Sequence, residues 1–192
     1  VGSEMCIRDS KYINSTKSIQ IISYFLILLF GSALLIVSSK IKVPFYPVPM
    51  TMQTLVVLMI GVGFGWRLGV ATIALYLLEG MMGLPVFSGT PEKGIGIVYF
   101  TGPTMGYLLG FLAAVYFSGK FIYTNNIALT FLKLFFATSL IYILGMLWLG
   151  SLIGWDKPIF QLGAQPFLLA ELFKILIASL AINQIKKIRK LI

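Results

Sequence analysis

The stretch Phe167–Ile185 reads FLLAELFKILIASLAINQI and is long and apolar enough to cross a bilayer. A spanning helix needs about 20 mainly apolar residues, because each residue advances the helix by about 1.5 Å through a hydrocarbon layer of about 30 Å. Two ionisable residues, Glu171 and Lys174, interrupt this run. The stretch predicts a membrane helix that carries two charges inside the apolar layer.

The composition of the whole chain is that of a protein embedded in lipid. Of the 192 residues, 58% are hydrophobic and 11% are charged, whereas a soluble domain carries about 25% charged residues. The chain has one cysteine, Cys6, and no histidine. An internal disulfide and a Cys/His zinc site are therefore excluded, and no metal or cofactor is expected.

Six apolar stretches predict one transmembrane domain over residues 19–186. The short segment 63–67, GFGWR, separates the second stretch from the third, and no stretch shows the alternation of a membrane β-barrel. We predict an all-α membrane protein, a six-transmembrane-helix bundle with structured outer loops. The predicted helices are Ile19–Ser39, Met50–Gly65, Leu68–Gly83, Gly102–Tyr123, Ile127–Gly150 and Phe167–Ile185.

The distribution of basic residues predicts the orientation. Fourteen lie outside the sixth stretch, ten on the side of the termini and four on the opposite side, which by the positive-inside rule places both termini in the cytoplasm of a multi-pass inner-membrane protein. The ten are Arg8, Lys11, Lys17, Arg67, Lys120, Lys133, Lys186, Lys187, Arg189 and Lys190, and the four are Lys40, Lys42, Lys93 and Lys157.

Two tails flank the predicted domain. Residues 1–18 form an N-terminal tail, and residues 187–192 form a basic C-terminal tail. The opening VGSEMCIRDS lacks the apolar region of a secretory signal and is interpreted as a candidate non-native leader.

Three connections would lie on the outer side, where they predict a lid over an outward-facing site. The first, Ser39–Met50, contains Pro44, Pro47 and Pro49 and cannot be helical throughout. The other two are Leu84–Thr101 and Ser151–Ala164.

The charges within the apolar stretches are the first candidates for function. Glu171 and Lys174 stand three residues apart and so share a helix face. One interpretation is an internal ion pair that only lets the helix tolerate both charges. The other is a recognition site, in which a carboxylate accepts N–H groups and an ammonium donates to an oxygen. Glu79 is more simply explained as an interfacial carboxylate than as a ligand contact.

Glycines recur in GPTMGYLLG at the start of the fourth stretch. Gly102, Gly106 and Gly110 lie four residues apart and form one groove along a helix. Such a groove allows close approach of either a neighbouring helix or a flat ligand, and the spacing does not choose between them. Pro103 suits a first helical turn.

Enzyme chemistry finds little support in the sequence. No G-x-x-x-x-G-K-[ST] phosphate loop and no H-E-x-x-H is present, and a Ser–His or Cys–His nucleophile is impossible without histidine. A module for binding and translocation is favoured, with no catalytic residue. A structural membrane protein and an intramembrane enzyme remain as weaker alternatives.

Four motifs, in their order and spacing, resemble the BioY family over about residues 20–190. They are VPMTMQTLVVLMIG, YLLEGMMGLPVF, GPTMGYLLGF and PFLLAELFK. The resemblance implies a biotin-specific substrate-binding (S) component of an energy-coupling factor (ECF) transporter, which works with a coupling transmembrane subunit and ATPase subunits. The family usually has Asp where this chain has Glu171, and often Gly where Met105 stands.

The resemblance also implies a biotin site. Glu171 would accept the ureido N–H groups, and Lys174 would donate to the ureido oxygen or support Glu171. Tyr107 and Phe87 would supply apolar walls, with Gly102 and Gly106 allowing close backbone approach. An S component for another vitamin and an ion-coupled secondary transporter remain alternatives.

Overall fold

A computed structural model describes residues 2–43, 48, 50–92, 94–124 and 126–191. Side chains are described within 20–41, 48, 50–92, 94–124 and 126–189. Pro44, Pro47 and Pro49 of the first predicted outer loop, and Lys93 of the second, lie outside these residues.

Helices account for nearly all of the regular structure, which confirms the all-α prediction. The long helices are α1 (Gly2–Lys40), α2 (Gln53–Met81), α4 (Met105–Lys120), α5 (Ile127–Ile153) and α7 (Leu168–Leu191). Shorter elements join them, namely β1 (Lys42–Val43), β2 (Met50–Thr51), α3 (Ile97–Phe100), α6 (Ile159–Gly163) and a 3₁₀ turn (Gln165–Phe167).

The α2 element is a hairpin of two antiparallel helices, because the backbone reverses at Gly65. This residue has φ 78° and ψ 172° inside otherwise helical backbone. Nε2 of Gln53 donates to the Tyr76 hydroxyl at 2.7 Å, although the two residues are 23 positions apart. In a straight helix they would be about 34 Å apart. The two halves, 53–64 and 66–81, are the second and third predicted helices.

With the hairpin counted as two, six long helical segments stand in the described part of the chain, as predicted. There, four helical stretches are long and apolar enough to cross a membrane by length and composition: Gln20–Lys40, Gln53–Met81, Ile127–Ile153 and Ile159–Arg189. The hairpin supplies two segments, and α4, with 16 residues, is shorter than each of the four stretches. The protein is a multi-pass membrane protein.

Several helix ends differ from the prediction. The first helix continues upstream into the predicted tail, and α7 continues to Leu191, because extending an existing helix adds one hydrogen bond per residue. The fourth helix runs from Met105 to Lys120 instead of Gly102–Tyr123, so Pro103 lies in the turn before it. The start of α5 at Ile127 is as predicted, where the Asn126 side chain accepts from the Leu129 N–H.

Glycines let α4 pack closely against its neighbours. Gly61 and Gly69, one on each half of the hairpin, both border Val115 of α4. Gly106 and Gly110 lie against the α5 backbone at Leu144 and Ile141. Close helix approach through small residues is typical of membrane bundles, where apolar surface alone does not drive association.

The hairpin turn generates a first prediction. Gly65→Ala should lower the free energy of unfolding by about 1–2 kcal/mol, because an L-residue is strained at positive φ. Thermal unfolding of the detergent-solubilised protein measures the loss. Gly63→Ala is the matched control in the same helix, since its backbone is helical and the atoms nearest to the added methyl group, from Ile185 and Ile188, stand at 3.3 Å or more. Equal stability of the two variants would contradict the proposed strain.

Candidate functional site

A cavity lies where the open end of the hairpin meets α4, α5 and the start of α7. Its wall combines apolar and polar side chains, and among them only Glu171 carries a formal charge. The lining residues are Val48, Met50, Thr51, Gln53, Thr54, Ser88, Tyr99, Thr104, Tyr107, Leu108, Phe111, Ile141, Tyr142, Phe167 and Glu171. Ligand sites commonly have this character, an apolar pocket with a few placed polar groups.

The carboxylate of Glu171 is buried, with 4% of its surface exposed. Its Oε1 accepts from the Lys174 ammonium at 2.7 Å and from the Thr54 hydroxyl at 2.9 Å. Its Oε2 is also buried and has no hydrogen-bond partner among the described residues. A carboxylate oxygen without a donor is costly in a low-dielectric interior, so Oε2 is the atom of this cavity that most needs a ligand N–H or O–H.

The Lys174 ammonium, in contrast, uses all three of its donors within the protein. Nζ donates to Glu171 Oε1, to the Thr51 carbonyl at 2.6 Å and to the Thr54 hydroxyl at 3.1 Å. An ammonium has three N–H bonds. Lys174 therefore neutralises and orients Glu171, and it could reach a ligand only by giving up one of these bonds.

The backbone around the pair explains its position. Glu171 and Lys174 lie one helical turn apart on α7, so both point toward the first turn of α2. Thr51 precedes that turn in β2, where it pairs with Lys42 of β1. The site thus joins residues more than 110 positions apart in the chain, since Thr54 and Glu171 are separated by 117.

The loop between α2 and α3 supplies a second polar group to the cavity wall. Ser88 lines the cavity, and its buried hydroxyl has no partner among the described residues. The Tyr99 hydroxyl donates to the Ser88 carbonyl at 2.8 Å. Burial raises the pKa of the Tyr99 phenol, so the hydroxyl stays protonated and remains a donor.

Contacts from α1 hold the same loop in place. Lys40 Nζ donates to the carbonyls of Pro85 at 2.7 Å and Phe87 at 3.1 Å. The Ser39 hydroxyl donates to the Val86 carbonyl at 2.7 Å. These bonds fix the backbone of the loop, so α1 holds Ser88 in its position in the cavity wall.

The structure brings together some of the predicted site residues and not others. Glu171 and Tyr107 line the cavity, and Lys174 lies directly behind Glu171. The Tyr107 hydroxyl donates to the Gly163 carbonyl at 2.7 Å, which fixes its ring as a wall. Phe87 lies one layer back, stacked on Tyr99 with ring centroids 4.6 Å apart.

The two glycines of the predicted site do not border the cavity. Gly106 faces α5, where a methyl group would meet Leu144, Gly145 and Trp148. The Gly102 carbonyl accepts from the Trp148 indole at 2.9 Å. The sequence predicts that these glycines let a ligand approach the backbone. In the structure, α5 is the element that approaches them closely.

The half-buried Glu79 carboxylate, interpreted from the sequence as interfacial, has a partner on a neighbouring helix. The Ser32 hydroxyl of α1 donates to its Oε2, so the carboxylate joins α1 to the second half of the hairpin.

Sequence reasoning missed Thr54, Ser88 and Tyr142 as cavity residues. The Tyr142 phenol on α5 lies close enough to the Glu171 carboxylate to interact with it electrostatically and to approach it as a hydrogen-bond donor. A hydroxyl within an apolar stretch is common in membrane helices and gives little signal. For Thr54, the TMQT polar cluster at the start of the second stretch was the available hint.

Chemically, this arrangement suits binding more than catalysis. Counted over the described residues, the cavity offers one carboxylate oxygen and one hydroxyl without partners, together with aromatic walls. Within the described residues, no group of three or more His, Cys, Asp or Glu side chains could hold a metal ion. A compact ligand with N–H donors on an otherwise apolar frame would satisfy these groups.

Comparison with known families agrees with the motifs. The model of the BioY family matches residues 11–191, nearly the whole chain. The chain belongs to the BioY family. The resemblance drawn from the four sequence motifs is confirmed.

Curated members of the BioY family cover most of this chain. It is 33% identical to the probable biotin transporter BioY of Pyrococcus horikoshii, over 74% of this chain and 83% of that protein. It is 32% identical to the biotin transporter BioY of Thermotoga maritima, over 82% of this chain and 92% of that protein. A probable biotin transporter BioY of Rickettsia prowazekii is 33% identical, over 83% of this chain and 81% of that protein.

The fold also matches a solved structure. A crystal structure of the S-component for biotin from an ECF-type ABC transporter superposes with a TM-score of 0.73 and covers 88% of this chain and 93% of that chain. At 21% identity, this match establishes the shared fold of the BioY-family chain.

The buried pair generates a second prediction. Lys174→Met should destabilise the ligand-free protein by about 3–5 kcal/mol, because it leaves the Glu171 charge uncompensated. The double variant Glu171→Leu/Lys174→Met removes both charges and should lose much less. Thermal unfolding in detergent compares them. If the double variant were as unstable as Lys174→Met alone, the charges would not be the cause.

Proposed function

We propose that this protein is the membrane-embedded subunit that binds biotin with high affinity and delivers it for uptake into the cytoplasm. The observation that carries the proposal is the buried Glu171 Oε2, which lies in a cavity wall and has no partner in the described part of the chain. Family membership and the names of the relatives, all biotin transporters, support biotin over another vitamin and a transporter over an enzyme.

The chemistry of biotin fits the cavity. Its ureido ring carries two N–H donors beside a carbonyl, on an apolar thiophane and chain. Glu171 Oε2 accepts a ureido N–H, and Lys174 holds the carboxylate in place through Oε1. Of the two roles expected for Lys174, support of Glu171 agrees better with its three existing bonds. The Ser88 hydroxyl is free to serve a second polar group of the ligand.

Aromatic residues would enclose the apolar part of biotin. Tyr107, Tyr99, Phe111 and Phe167 contribute ring surfaces to the cavity. Phe87 acts indirectly, because its ring stacks on Tyr99 and fills the space beside Gly80. Gly102 and Gly106 contribute by setting the distance between α4 and α5.

Transport requires partners. The sequence contains no phosphate loop for ATP, and a small bundle has no energy source of its own. We propose that an ECF coupling transmembrane subunit and ATPase subunits drive release of biotin. Both termini would lie in the cytoplasm, with the cavity opening to the outer side.

Biotin binding generates a third prediction. Glu171→Ala and Lys174→Ala should each weaken biotin binding tenfold or more, because a hydrogen bond to a charged group is worth about 1.5–3 kcal/mol. Isothermal titration of the detergent-purified protein measures the affinity. Glu79→Gln is the matched control, since Glu79 is a membrane carboxylate whose partner is Ser32 and which does not line the cavity.

Three results would contradict the proposal. Unchanged biotin affinity in both cavity variants would reduce the pair to a structural role. Tighter binding of riboflavin or thiamine in competition would assign the protein to another vitamin. Uptake driven by a pH gradient in vesicles without ATPase subunits would indicate an ion-coupled carrier.

The orientation generates a fourth prediction. In a Cys6→Ser background, Lys157→Cys should react with a membrane-impermeant maleimide added outside intact cells, whereas Lys187→Cys should react only after permeabilisation. The reason is the excess of basic residues on the side of the termini. Labelling of Lys187→Cys in intact cells would contradict the predicted orientation and show that the C-terminal end lies outside.

A further inference from the structure

A second pocket lies at the tip of the α2 hairpin and contains two arginines. Tyr24, the turn residues 64–68 and Arg189 line it, and we call it the hairpin-tip pocket. It does not share a residue with the Glu171 cavity.

The hairpin-tip pocket stands at the opposite end of the bundle from the Glu171 cavity. The bond between Gln53 and Tyr76 marks the open end of the hairpin, at the cavity, and Gly65 marks the closed end. Along α1, Lys40 contacts the cavity loop and Tyr24 lies at the pocket. The 16 residues from 24 to 40 span about 24 Å of helix, close to the thickness of the hydrocarbon layer.

Backbone and aromatic contacts position the two arginines. The Arg189 guanidinium lies over Gly65, with Nε 3.3 Å from where a Cβ would stand, so any larger residue would displace it. The Arg67 guanidinium lies 5.2 Å from the centroid of the Trp66 ring. The Trp66 ring packs edge-on against the Tyr116 ring. The Lys120 ammonium lies 5.3 Å from the centroid of the Tyr116 ring.

The positive charge of the pocket is not balanced by the described part of the protein. There, the ion pair present is Lys174–Glu171, and no described carboxylate pairs with Arg67 or Arg189. Guanidinium groups bind phosphate through paired N–H donors, and arginine is weakly hydrated enough to do so at an apolar boundary. The chemistry therefore calls for a phosphate.

We propose that the hairpin-tip pocket binds the phosphate of an anionic phospholipid headgroup. Trp66, with 39% of its surface exposed, and Tyr24, with 44%, provide the amphipathic rings that favour the headgroup level. On the stretch of α1 that continues toward Lys40, Phe25 and Leu29 expose apolar surface for the acyl chains. The lipid would fasten the hairpin tip to the end of α7. This inference does not depend on the identity of the transported ligand.

Native mass spectrometry of the detergent-purified full chain tests the proposal, with phosphatidylglycerol and phosphatidylcholine as probes. Bound phosphatidylglycerol should exceed bound phosphatidylcholine roughly 25-fold, because each of the two arginines near an anionic lipid contributes about a factor of five. The preference should disappear in Arg67→Gln/Arg189→Gln. It should persist in Lys157→Gln/Lys187→Gln, which removes the same charge outside the pocket.

The remaining outcomes separate the sources of phosphate. Persistence of the phosphatidylglycerol adducts in millimolar inorganic phosphate supports a lipid site, whereas their displacement would overturn it in favour of a soluble phosphate. Equal retention of the two lipids by the unaltered protein would also overturn it, as would equal losses in the two double variants. Thermal unfolding of each variant in detergent verifies folding, and neither arginine lines the Glu171 cavity.

Discussion

The ion pair between Glu171 and Lys174 is the constraint on which the rest of the structure depends. Removing two charges from water destabilises the fold by several kcal/mol for each ion, and the attraction between the charges alone does not offset this loss. The loss is offset only where the remaining donors and acceptors also have hydrogen-bond partners. Lys174 meets this condition through the Thr51 carbonyl and the Thr54 hydroxyl. The same bonds tie α7 to the start of α2, so the pair that fixes the helix packing also presents Glu171 to the cavity.

The reversal at Gly65 links the two ends of the molecule. Because the hairpin returns to its starting level, Gln53 and Tyr76 meet beside the cavity, and the turn itself reaches the opposite end of the bundle. Gly61 and Gly69 then let α4 lie close to both halves. The positive φ of Gly65 thus places Gln53 and Tyr76 at the end of the bundle with the Glu171 cavity, and Arg67 at the opposite end.

The sequence was sufficient for the class of protein, the six helical segments and the placement of Glu171 and Lys174 together inside the bundle, because charge within lipid is rare and costly. It was insufficient for the direction of each helix face. In a membrane both the lipid side and the packed side of a helix are apolar, so periodicity does not separate them, and Gly106 was expected at the ligand although it faces α5. Likewise, no local pattern reveals that the Thr51 carbonyl takes one of the donors of Lys174.

The two oxygens of the Glu171 carboxylate have different surroundings, and this difference affects how a ligand enters the cavity. Lys174 already balances the carboxylate, so the pair is neutral and a neutral donor such as a ureido group can approach without bringing a counter-charge. A ligand carboxylate would instead meet the unpartnered Oε2 and be repelled. We therefore expect biotin to enter ring first, with its acid group toward the cavity mouth. In this chain Oε1 of Glu171 bonds to Lys174 and Thr54, and Oε2 has no partner among the described residues, so we propose that Oε2 meets the ligand.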